Sequence, residues 1–123
     1  LDGHSIRAEV PRFFAGRLPD FNLGTADGAS ADTALERIAS GILGASAPFT
    51  SVVNGRFKGG WITRRYGRPG TGVHALQLEM AQAAYMDEAP PYRWDAKRAA
   101  PLSAVLQRLV GALAAWRPGG GAA

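Results

Sequence analysis

The sequence predicts an α/β fold with a mixed, mostly parallel sheet flanked by helices, and the sheet reads as incomplete. Three observations carry this prediction. Short apolar segments of strand character alternate with stretches whose apolar residues recur at helical spacing. One segment, residues 73–80, divides into two faces at strand period, with Leu76, Leu78 and Met80 on one and Gln77 and Glu79 on the other. At 123 residues and 46% hydrophobic content, the chain has the material for one modest core.

The elements follow in order. Residues 1–6 have the character of a strand end carrying Asp2, Gly3 and a His4-Ser5 pair. Because the chain opens within this motif, it is expected to be the C-terminal part of a larger domain. Residues 8–28, rich in Pro, Gly and aromatics, predict a long packed loop with a short strand at 20–23. A helix is predicted over 33–43, where Leu35, Ile38, Ala39, Ile42 and Leu43 share a face. Thr33 with Glu36 would cap its start, and Gly44 would close it in the left-handed conformation. After Pro48, residues 51–54 predict a strand, residues 55–60 a basic glycine loop, residues 61–66 a further strand and residues 67–72 a turn.

Residues 73–80 make the clearest strand. His74, Leu76, Leu78 and Met80 are expected on one face, and Val73, Ala75, Gln77 and Glu79 on the other. A short helix is expected from Ala81, a break at Pro90-Pro91, and a last helix with Pro101 in its first turn. Leu102, Val105, Leu106, Leu109, Val110, Leu113 and Trp116 form its broad apolar face. The domain is thus expected to span 1–118, followed by a flexible tail at 119–123.

Charge and composition narrow the function. The net charge of +4 is spread from Arg7 to Arg117 rather than gathered on a stripe, which disfavours a nucleic-acid binder. Distributed arginine suits a small anionic ligand, since the guanidinium fork matches a carboxylate. The absence of cysteine excludes disulfides, Cys-ligated zinc and thiol catalysis. No apolar run approaches the ~20 residues of a membrane span, so no membrane partner is expected, and a cytoplasmic location fits.

Two residues stand out for chemistry. His4 lies past a strand end, where open α/β sheets gather their sites. It is either a metal ligand or base, or a polar residue satisfied by a neighbour. Glu79 lies in an apolar strand, where a carboxylate is either paired with an arginine or held for general acid–base work. A catalytic zinc needs three protein ligands, and His4 and His74 are the only histidines, so the local inventory does not close a metal site: either the missing ligands come from upstream or there is no metal. The loop from Asn54 to Gly60 is not a P-loop. Its Arg56 and Lys58, with Arg64, form either an exposed basic turn or a carboxylate clamp. Asn22 to Thr25, with Asp27-Gly28, carries turn chemistry.

Taken together, Asp2-Gly3-His4-Ser5-Ile6-Arg7, Leu18-Pro19-Asp20-Phe21-Asn22-Leu23-Gly24-Thr25, Val53-Asn54-Gly55-Arg56-Phe57-Lys58-Gly59-Gly60, Ile62-Thr63-Arg64 and Val73-His74-Ala75-Leu76-Gln77-Leu78-Glu79 resemble, in this order, the motifs of N-formylglutamate amidohydrolases. The likeness extends to about Tyr92 and corresponds to the C-terminal half of those longer proteins. It implies a zinc-carboxypeptidase-like (phosphorylase/hydrolase-like) fold and hydrolysis of N-formyl-L-glutamate to formate and L-glutamate, in histidine degradation. It implies a divalent metal, zinc by expectation, with His4 as one ligand and Glu79 as the catalytic carboxylate. Arg56, Lys58, Arg64 and Asn22 are expected on the substrate-binding side. The alternatives are a deacylase for another N-acyl amino acid and a non-catalytic module binding an anion or nucleic acid. On the enzyme reading the fragment is expected to be inactive alone, with a small molecule as partner.

Overall fold

The computed structural model describes residues 1–119; residues 120–123 of the expected tail lie outside the described residues. Four strands form one sheet: β1 (Asp2–Ile6), β2 (Phe21–Gly24), β3 (Ser51–Val53) and β4 (Gln77–Ala81). Their order is β1-β4-β2-β3. β1 runs parallel to β4 and β2 parallel to β3, while β2 and β4 are antiparallel, so the sheet is mixed and mostly parallel. The helices are α1 (Thr33–Gly44), α2 (Trp61–Tyr66) and α3 (Ala96–Ala115), and α1 is the crossover between parallel β2 and β3.

The pleat divides this sheet chemically. Phe21, Leu23 and Leu78 join Leu35, Ala39 and Leu43 of α1 and Leu102, Val105 and Leu109 of α3 in one core. Each fully buried Leu or Phe contributes roughly 1.5–3 kcal/mol, so this face decides which way the strands turn. The residues between them, Asn22, Gln77 and Glu79, must then face the other way. These three buried polar side chains share one face of the sheet. Among the described residues, no helix is long and apolar enough to cross a membrane.

Several sequence expectations are corrected. Residues 61–66 are a helix, not a strand. Trp61, Ile62 and Tyr66 are all exposed and only Thr63 is buried, so the segment has no apolar side to lay on a sheet. A single helical turn buries Thr63 alone. β4 begins at Gln77 rather than residue 73, because Ala75 exchanges hydrogen bonds with Ser30: its N–H donates to the Ser30 carbonyl at 2.9 Å, and Ser30 Oγ donates to its carbonyl at 2.7 Å.

The helix ends differ as well. α1 is capped by Asp32, whose carboxylate accepts from Ala34 N at 2.7 Å, while Glu36 accepts instead from the Thr25 hydroxyl at 2.5 Å. Gly44 is the last helical residue, and Ala45 follows at φ −86, outside the left-handed region. α3 starts five residues before Pro101, at Ala96, because Asp95 caps it through Lys97 N and Arg98 N, both at 3.0 Å. Pro101 therefore sits inside the helix, on its exposed side. The short helix after Ala81 is a 3-10 turn, Gln82–Ala84.

Candidate active site

The sheet's polar face brings together residues far apart in sequence. His4 pairs in register with Glu79 on the neighbouring strand, and Glu79 pairs in register with Asn22 on the next. In-register residues share a face, so His4, Glu79 and Asn22 form a row across β1, β4 and β2. A second row runs beside it: Asp2, Gln77 and Gly24.

Glu79 occupies the centre. It is only 7% exposed, and among the described residues it makes no ion pair with any lysine or arginine. The arginine partner that would have made it a structural ion pair is not there. Its Oε1 is buried without a hydrogen-bond partner. Burial raises its pKa above the ordinary carboxylate value; the positive charge of His4 pulls the other way, and the negative charge of Asp2 adds to the rise.

His4 is half exposed, and its Nε2 lies 2.9 Å from Asp2 Oδ2. That hydrogen bond is the main reason its pKa is raised, with burial opposing and the charges of Asp2 and Glu79 assisting. The pairing also fixes the ring, leaving Nδ1 as the nitrogen with a free lone pair when the imidazole is neutral. A carboxylate holding one ring nitrogen is how metal-ligating histidines are commonly oriented. The arrangement suits His4 as one ligand. Among the described residues no three His, Cys, Asp or Glu side chains stand close enough to hold a metal ion.

Asn22 is 1% exposed. Its Nδ2 donates to the carbonyls of Pro19, at 2.8 Å, and Glu79, at 3.1 Å. It ties β2 to β4 at the backbone of Glu79.

The basic loop reaches this face through its backbone. Gly60 N donates to Gln77 Oε1 at 2.7 Å, and Ala26 N donates to the Lys58 carbonyl at 2.7 Å. Gly24 makes the approach possible: a Cβ there would lie 2.5 Å from the Lys58 carbonyl carbon. The loop's charged ends are engaged locally. Arg56 Nε donates to the Phe13 carbonyl at 2.9 Å, Lys58 pairs with Asp27 at 3.1 Å, and Arg64 donates to the Gly59 carbonyl at 2.8 Å.

The structure thus gathers His4, Glu79 and Asn22, and places Arg56, Lys58 and Arg64 on the adjoining loop and helix with other partners. The sequence reading missed two supports. Gln77 docks Gly60, and Asn54 clamps the 25–27 turn by accepting from Thr25 N at 2.9 Å and donating to Thr25 Oγ1 at 2.9 Å. The first was detectable, since period-two spacing sets Gln77 on the face of Glu79. The second depends on Asn54 adopting φ 50, which the Asn54-Gly55 pair favours, but its partner lies 29 residues away in the 25–27 turn.

N-formylglutamate deformylase of Pseudomonas aeruginosa is 52% identical over 115 residues, 94% of this chain and 43% of that protein. The enzyme of the same name from Pseudomonas putida is 49% identical over the same shares. The chain therefore spans less than half the length of these relatives. The crystal structure of N-formylglutamate amidohydrolase from Ralstonia eutropha JMP134 superposes with a TM-score of 0.74 at 22% identity, over 91% of this chain and 41% of that one, and shares the fold. The sequence profile of N-formylglutamate amidohydrolase matches residues 1–86, and the chain belongs to that family.

Proposed function

We propose that this chain carries part of the site of a metal-dependent amidohydrolase that converts N-formyl-L-glutamate to L-glutamate and formate, in the degradation of histidine. One observation carries the reading: a buried, unpaired carboxylate, Glu79, stands in register with a carboxylate-oriented imidazole, His4.

Each residue has a distinct task. Asp2 holds the His4 ring so that its free nitrogen can serve as a ligand. A divalent metal, zinc by expectation, would supply Lewis-acid polarisation of the formyl group and activation of water when bound there. Glu79 accepts a proton from the attacking water and delivers it to the departing nitrogen. Its raised pKa brings base and acid forms closer in energy near neutral pH, as this double role requires. Arg56, Lys58 and Arg64, on the loop docked to Gln77, would turn to the substrate's carboxylates by exchanging their present partners; two of those are backbone carbonyls and one is an exposed aspartate.

The test is formate release from N-formyl-L-glutamate by the intact protein carrying this chain, with metal content measured on the same preparation. Metal-dependent release supports the reading. Release from N-acetyl but not N-formyl substrate would move the protein to another acyl group. Salt-sensitive DNA binding without metal uptake would overturn the hydrolase reading.

A further inference from the structure

Asn22 holds more than its strand neighbours. Both observed bonds of its amide nitrogen go to backbone carbonyls, those of Pro19 and Glu79. Flipping the amide would set oxygen against two oxygens, so the orientation is fixed. Oδ1 is then left as a pure acceptor, and among the described residues it is buried without a partner. The same holds for Oε1 of Glu79, the next residue in the row. Two adjacent strands thus each present an unsatisfied, desolvated acceptor on one face. Buried acceptors are rarely left so, and a pair of them is suited to an N–H donor.

We propose that Asn22 Oδ1 receives the N–H of the scissile formamide and thereby turns the nitrogen's lone pair toward Glu79. This rests on the hydrolase reading above. The order of the row supports it. His4 lies on one side of Glu79 and Asn22 on the other. Standing between the two, the Glu79 carboxylate can take a proton from water on the His4 side and pass it to a nitrogen held on the Asn22 side. As the formyl carbon becomes tetrahedral, its nitrogen becomes pyramidal and gains a usable lone pair. With the N–H held at Asn22, that lone pair is directed to the neighbouring carboxyl. The proton first taken from water then bonds to nitrogen and the C–N bond breaks. Formic acid and the free amine leave, and the acid's proton passes to the amine or to solvent. No other reactant is needed.

The test compares two substrates in the intact protein carrying this chain: N-formyl-L-glutamate, and the formate ester of 2-hydroxyglutarate, which has oxygen in place of N–H. Asn22→Leu is expected to lower kcat/KM for the amide about tenfold more than for the ester, the scale of one lost hydrogen bond at a buried acceptor. Equal losses on both substrates in Asn22→Leu would make the residue a structural tie and overturn the proposal. Calorimetric binding of both compounds to Glu79→Gln protein gives a readout without turnover. A preference for the amide that disappears on adding Asn22→Leu supports the proposal, and no preference, or no binding, overturns it. Absence of wild-type turnover on either compound would sink the hydrolase reading instead, leaving the binding comparison to judge Asn22.

Discussion

Substituting Glu79 by Gln removes a charge while keeping the side chain's shape, and it separates chemistry from stability at this residue. Turnover is expected to fall by about 10²–10⁴ or more, the range of a lost general acid–base, with metal content unchanged. Parallel loss of metal would make Glu79 a ligand instead. The stability effect has a definite sign. The folded protein holds the Glu79 proton more tightly than the unfolded chain, whose value is near 4.5. This contribution is therefore fully present below that pH and is lost as pH rises through the folded pKa. His4 behaves alike in a higher window, starting near its ordinary 6.5, because Asp2 raises it. Glu79→Gln abolishes the lower window. Near pH 7 the variant should be at least as stable as wild type, with a flatter decline above about pH 4.5 in urea unfolding series. A variant less stable at neutral pH, with the wild-type slope, would show that the carboxylate is structurally paired.

At the scale of elements, the backbone contact between β2 and the basic loop invites a direct test. Gly24→Ala would place a methyl group 2.5 Å from the Lys58 carbonyl carbon and 2.7 Å from Gly59 N, and neither is a flexible side-chain end. The expected cost is about 1–3 kcal/mol, with faster hydrogen exchange at the Ala26 and Gly60 amides, which bond to Lys58 and Gln77. Unchanged exchange would show that other contacts hold the loop. Asp95→Ala should cost about 1 kcal/mol by uncapping α3, measured by thermal or urea unfolding.

These two places also show what could be read from sequence. β2, β3 and α1 were legible to within a residue or two because period and punctuation agreed there. α2 was not: six residues make less than two turns, too few to display a helical period. Pro101 suggests a first turn and so sets the start of α3 five residues late; Asp95 is the residue that caps it. In the site, His4 and Glu79 were visible as polar groups in strand context. Their meeting is a matter of register between distant strands, and Asn22, expected on the substrate-binding side from the resemblance alone, joins their row through the same register. The cations of the 54–64 segment were visible as charge, but a sequence does not show where a long flexible side chain points.

The molecule as a whole separates a finished half from an open one. The helix face of the sheet is closed by α1 and α3 over a continuous core, and Leu109→Ala within it should cost about 2–5 kcal/mol in unfolding experiments. The other face holds an oriented imidazole and two orphan acceptors, one of them on the desolvated Glu79 carboxylate, yet among the described residues no three metal-binding side chains converge. β1, which carries His4, pairs within this sheet only with β4, and its middle residues are exposed. A catalytic zinc needs three protein ligands and one open position, and a single oriented histidine binds such an ion weakly. The 123 residues by themselves are therefore expected to retain little zinc after gel filtration. They should also release formate far more slowly than the longer relatives, with catalysis recovered only when further ligands stand beside β1. Metal analysis and formate assay of this chain, alongside the full-length Pseudomonas aeruginosa deformylase, decide the matter. Stoichiometric zinc and turnover approaching that of the longer enzyme would mean that the chain completes its own site, and that His4 and Glu79 have ligand partners the present geometry does not bring together.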